Sequence, residues 1–144
     1  MRKYYEVKAT ITRACFEETN EISLTEDIGI SLYLDFAFER EGKREKKTQS
    51  WSMVYGEGDD PIYTEFQKKQ VFYLKQLLHV QKIAEFAGKD VVLLCDDSNT
   101  VYAVGNGECF ILTDVIKTYL RYGAQYVFRP QEILNELEFI ESLE

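Results

Sequence analysis

The segment from Ile28 to Glu39 constrains the fold more than any other. Ile28, Ile30, Leu32, Leu34, Phe36 and Phe38 occupy every second position, and Gly29, Ser31, Tyr33, Asp35, Ala37 and Glu39 fill the positions between. Side chains alternate across a strand with a period of two, whereas a helix would scatter these apolar residues around its circumference. The segment is therefore a strand with one wholly apolar face.

Its neighbours in the chain read the same way. Tyr4–Ala14 alternates, with Tyr5, Val7, Ala9 and Ile11 on one side and Glu6, Lys8, Thr10 and Thr12 on the other. Glu17–Thr25 is polar and reads as a loop. Arg40–Lys47 (REGKREKK) is a charged tip around Gly42, expected to turn a hairpin into Thr48–Tyr55. In that partner strand Gln49, Trp51, Met53 and Tyr55 share one face. Gly56–Asp60 (GEGDD) follows as an acidic loop.

The period then changes. Tyr63, Phe66, Val71, Leu74, Leu77 and Leu78 fall mostly at steps of three or four, which puts most of them on one face of an amphipathic helix, with Lys68, Lys69 and Lys75 towards the other side. Pro61 suits the first turn, where a missing N–H costs nothing, and Asp59, Asp60 and Glu65 complement the positive end of the helix dipole. Gln81–Ala87 reads as a second short helical turn closed by Gly88. Asp90–Cys95 is nearly all apolar, as suits a strand covered on both faces. Asp97, Ser98 and Asn99 turn the chain into Val101–Val104, and Asn106–Gly107 turns it again into Glu108–Leu112. Thr113 can cap a helix over Asp114–Arg121, Tyr126–Phe128 is extended, and Pro130 opens a last helix over Gln131–Leu143. Ile133, Leu137 and Ile140 line one face of that helix, with Leu134 and Leu143 flanking, and no lysine or arginine lies between Gln131 and Glu144. The expected fold is a single α+β domain over residues 1–144. A mainly antiparallel sheet of about five to six strands packs against a central amphipathic helix, with two further C-terminal helices. Residues 1–55 supply strands, 61–105 the helix plus hairpin, and 113–144 the helical C-terminal part.

At 144 residues and 45% hydrophobic, such a domain can bury a core without covalent staples. No run of 18 apolar residues exists to span a bilayer, and the start, MRKYYEVKAT, has no apolar core of the secretory kind. The three cysteines, Cys15, Cys95 and Cys109, fall in strand-like runs and are expected to be reduced thiols of a cytoplasmic protein. A net charge of −8 disfavours direct binding to nucleic acid or anionic lipid. It suits docking on a basic surface, although acidity also serves solubility alone.

The motifs that could carry chemistry are sparse. His79 is the single histidine and ends the central helix, where its charge would be favoured electrostatically. Gly105-Asn106-Gly107 follows a strand but precedes another one, so it is a turn and not a dinucleotide fingerprint. Asp96, Asp97 and Asn99 lack the glycine and closing glutamate of a calcium loop. No CxxC pair or second histidine supplies zinc spacing. No metal, no cofactor and no catalytic residue is expected. The candidate partner-binding set is acidic and aromatic: Glu57, Asp59, Asp60, Asp96, Asp97, Glu132, Glu136 and Glu141, with Trp51 and Tyr55 as contact aromatics.

Ala9–Phe16, Ile28–Glu39, Phe66–Leu78, Ala87-Gly88-Lys89 leading into Val91–Leu94, and Val101-Tyr102-Ala103-Val104-Gly105 together resemble a family of small uncharacterised proteins encoded by phages and prophages. Arg40–Ser52 departs from the glycine-rich segment of that plan, Asn106 replaces a histidine, and the acidic C-terminal helix is additional. The resemblance implies a phage-encoded inhibitor of a bacterial antiphage defence effector, by analogy with anti-CRISPR proteins, acting in the host cytoplasm. The partner it implies is a defence protein with a basic nucleic-acid channel, bound without chemistry. The alternative is a sponge-like binder of a nucleotide signal, with Arg13, Lys43, Arg44, Lys46, Lys47 and Arg129 as candidate phosphate contacts, or a phage accessory protein. The last helix needs cover for its apolar stripe, from its own domain or from a second copy in a homodimer.

Overall fold

In the computed structural model of the protein, residues 3–18, 29–56, 60–113 and 125–143 are described. One long strand, β1 (Tyr4–Glu18), serves both halves of the sheet. Its C-terminal half pairs with β2 (Ile30–Arg40), which pairs with β3 (Lys43–Val54). Its N-terminal half pairs with β4 (Asp90–Asp96), followed outward by β5 (Val101–Gly105) and β6 (Phe110–Leu112). The order is β3-β2-β1-β4-β5-β6, every pairing is antiparallel, and the six-stranded sheet curls into a half-barrel.

A bulge lets β1 do this. Ile11 faces Phe36 and Arg13 faces Asp35, so Thr12 is an extra residue that reverses the alternation. Val7, Ala9 and Ile11 point into the core before it, and Ala14 packs against the same core after it. The strand thus runs on to Glu18, where the polar sequence had suggested a loop from Glu17.

The β2–β3 turn is tighter than the charged tip suggested. Glu41 and Gly42 both take positive φ, 54° and 78°, the pattern of a two-residue hairpin turn of the primed kind. Lys43–Lys47 are consequently strand residues, and lysines on an edge strand discourage edge-to-edge aggregation.

The helix α1 (Pro61–Leu77) packs on the inner face of the curl. Asp60 caps it, accepting the Ile62 N–H at 2.9 Å. Phe66, Val71 and Leu74 are buried, as their spacing requires, but so are Thr64, Gln67 and Gln70. Those glutamines connect the helix to both outer strands. The backbone N–H of Ser52 in β3 donates to Gln67 Oε1, and Gln70 Nε2 donates to the Leu112 carbonyl of β6 at 3.1 Å. An unpaired backbone group at a buried sheet edge is costly, and α1 satisfies one on each side of the opening.

Trp51, Leu32, Leu34, Phe36, Leu74, Phe86 and Leu93 form the fully buried centre of this first core. Phe86 reaches it from a 3₁₀ turn, Ile83–Phe86, that Gly88 closes at φ 90°. Strand β4 is covered on both faces: Val91, Leu93 and Cys95 join the first core, while Leu94 joins a second. That second core is roofed by α2 (Pro130–Ser142), whose Ile133, Leu137 and Ile140 rest on Leu94, Tyr102, Ala103, Phe110 and Leu112. Phe128 pairs with Phe110 just before α2 and delivers it there. Two α-helices are thus described, on opposite faces of one sheet. The helix expected over Asp114–Arg121 lies outside the described residues. The apolar stripe of the last helix is covered by its own domain.

Gly105 shows why a turn follows β5. A Cβ there would sit 1.9 Å from the Cys109 carbonyl oxygen, so only glycine fits the chain's reversal.

Candidate functional site

The sequence pointed to acidic groups, and most of those described have structural duties. Asp96 is 9% exposed. Its Oδ1 accepts the Ser98 and Thr100 N–H groups at 2.9 and 3.0 Å, and its Oδ2 accepts the Tyr102 hydroxyl at 2.9 Å. It therefore shapes the β4–β5 turn. Asp60 caps α1 on the opposite face of the sheet from α2. Glu132 closes the first turn of α2, accepting the Arg129 N–H at 3.0 Å, and Gln125 Nε2 donates to it at 2.9 Å. Those bonds, the Gln125 one foremost, hold its carboxyl below the usual value. Trp51 is fully buried and offers no surface to a partner; its apolar neighbours across the sheet, not an interface, account for its place. Tyr55, just past β3, is 53% exposed. Glu57 and Asp59 lie outside the described residues.

The fold does bring three of these residues to one end. Tyr4 and Tyr102 meet edge to face at 5.4 Å. The Tyr4 hydroxyl donates to Glu141 Oε1 at 2.5 Å, while the Tyr102 hydroxyl holds Asp96. The β4–β5 turn and the end of α2 are thereby joined. Asp97 is exposed beside them, 3.7 Å from Arg40 Nη2. Arg40 stacks over the Tyr5 ring at 4.3 Å and donates to the Asp96 carbonyl and to Asn99 Oδ1 at 2.5 and 2.9 Å. The hydrogen bond with Asp97 is the first cause of a raised Tyr5 phenol pKa.

Beside the acidic residues expected on α2, the helix also exposes two apolar side chains that the sequence did not single out as partner contacts. Phe139 and Leu143 are 59% and 64% exposed. With Glu132 and Glu136 they form a stripe at steps of four, three and four, one residue behind the buried stripe of Ile133, Leu137 and Ile140. Leu143, expected to flank the apolar face, is turned outward by the helix's rotation on the sheet. The signal was present in the periodicity: an amphipathic helix of this length needs no apolar residue at 139 to complete its buried face. Arg129 opens α2, Arg13 and Lys46 flank the buried carboxylate of Asp35 at 3.8 and 3.9 Å, and Arg44 lines a cleft together with Lys8 and His79.

Among the described residues, no group of three or more His, Cys, Asp or Glu side chains is placed to hold a metal ion. No helix among them is long and apolar enough to cross a membrane. Comparison with known protein families, curated proteins and solved structures found no match. What the geometry itself defines is an α+β half-barrel whose last helix presents an acidic face with two bare apolar side chains.

Proposed function

We propose that this protein acts by binding another protein, with the outer stripe of α2 docking on a basic surface. The partner is a bacterial antiphage defence effector, a CRISPR nuclease foremost, whose nucleic-acid channel the acidic face occupies. The observation that carries the reading is the exposure of Phe139 and Leu143 on a helix with no positive side chain between Gln131 and Ser142. Apolar anchors rimmed by charge are the usual make-up of a binding hot spot. Complementary charge speeds encounter and makes it salt-sensitive. Glu141, within α2 on the side away from that stripe, and Asp97 of the β4–β5 turn add to the molecule's negative charge.

The test is capture of partners by the tagged protein from lysates of bacteria carrying several defence systems, followed by an assay of the captured effector. The expected result is one effector in near-equal amount, released by high salt and inhibited by the protein. Phe139→Ala combined with Glu136→Lys should lower affinity by about tenfold or more with an unchanged Tm. Undiminished capture by that variant would remove α2 from the interface. Recovery of only a second copy of this chain would replace the effector with self-association.

A further inference from the structure

A cleft of about 900 Å³ opens where β1, β2 and β3 meet the start of β4, with the last residues of α1 also lining it. We infer that this cleft binds a small organic anion, through Lys8 of β1, Arg44 of β3 and His79 just past α1. The site is independent of the acidic face of α2.

Several observations converge on it. Sheet register places Lys8 and Arg44 on one face: Thr10, two residues from Lys8, faces Ala37, and Glu39, two residues from Ala37, faces Arg44. The side chains of Lys8, Arg44 and His79 make no hydrogen bond or ion pair with any described residue. Of the other polar side chains lining it, Glu39 alone is also unengaged. Thr10 Oγ1 donates to Asp90 at 3.1 Å, and Asn106 Oδ1 accepts the Glu108 and Cys109 N–H groups at 3.0 Å. The groups left free are thus mainly cationic or titratable. Leu77 and Val92, both partly exposed, supply an apolar wall for the ligand's body.

His79 adds a second kind of observation. It holds φ 56° at the position after α1 where glycine is the usual residue. The bond from the Val80 N–H to the Lys75 carbonyl, at 2.9 Å, fixes that conformation. A non-glycine residue kept in the left-handed region, lining a cleft, marks a place where the side chain is worth its backbone cost. Two carboxylates oppose an anion here: Asp90, which already accepts from Thr10, and Glu39. The Glu39 side chain is the unengaged one. It is exposed, faces Arg44 across the strands and still forms no ion pair within 4.0 Å. It therefore leaves both cations open to a ligand. Phe38 is 5% exposed, so it offers no ring for stacking a base. The recognised chemistry is the anionic head, whether phosphate ester or carboxylate, on an apolar body.

The experiment is an ¹H–¹⁵N NMR titration of the full chain with phenyl phosphate and, separately, phenylacetate. The proposal expects saturable shifts at Lys8, Thr10, Arg44 and His79 with at least one probe. Saturation with phenyl phosphate alone assigns a phosphate ester, and with phenylacetate alone a carboxylate. Arg44→Glu should weaken binding about tenfold or more, and Glu39→Gln should strengthen it. His79→Gly should weaken binding while raising Tm, a pairing that a purely structural histidine would not give. Absence of saturable shifts with both probes, shifts confined to α2, or weakened binding in Glu39→Gln would each overturn the proposal.

Discussion

At the scale of single residues, burial decides which chemical groups are available. Cys95 is fully buried in the first core, and burial pushes its thiol up to about 11 from an ordinary 9.0. Cys15 and Cys109 are partly exposed. A thiol-modifying reagent at mildly alkaline pH is therefore expected to label Cys15 and Cys109 rapidly in the native protein and Cys95 only after denaturant is added. Fast labelling of all three would mean the core opens locally. The same shift sets a pH dependence. The folded state holds the Cys95 proton more tightly than the unfolded state, so this contribution is complete below pH 9.0 and is lost as pH rises toward about 11. Urea midpoints measured across that window should fall, and Cys95→Ala should flatten the fall.

Elements owe their places to residues that periodicity alone misjudges. The burial of Phe66, Val71 and Leu74 on α1 was legible, since helical spacing is a local property of the chain. Gln67 and Gln70 were not. They are polar, yet they are 3% and 0% exposed, because they satisfy edge groups of β3 and β6 that are distant in sequence. Gln70→Ala should leave the Leu112 carbonyl unsatisfied and cost about 1–3 kcal/mol, read as a lowered urea midpoint. A neutral result would mean that water replaces the glutamine. The β2–β3 tip shows the same limit. Gly42 signalled a turn, but positive φ at Glu41 placed it two residues wide, and the basic run beyond it became strand.

For the whole molecule, one sheet separates two cores, and β4 belongs to both. Cooperative unfolding follows if the sheet transmits the loss of either core. Trp51 is the only tryptophan and lies in the first core, while Leu137 lies in the second. Leu137→Ala should cost about 2–5 kcal/mol and shift the Trp51 fluorescence midpoint as far as the far-UV circular dichroism midpoint. Divergent midpoints would show two separable units. The strand pattern of Ile30–Arg40, the amphipathic α1, the twice-covered β4 and the glycine turns were set by the sequence itself, because each rests on the spacing of near neighbours. So was the absence of positive charge from α2. Tertiary structure alone decided the half-barrel order and the Thr12 bulge, because strand partners and register depend on contacts between residues far apart. It also decided that Asp96 and Glu132 are spent on turns and caps, that Trp51 is core, and that Phe139 and Leu143 face outward. Exposure is fixed only when a helix takes its rotation on the sheet beneath it.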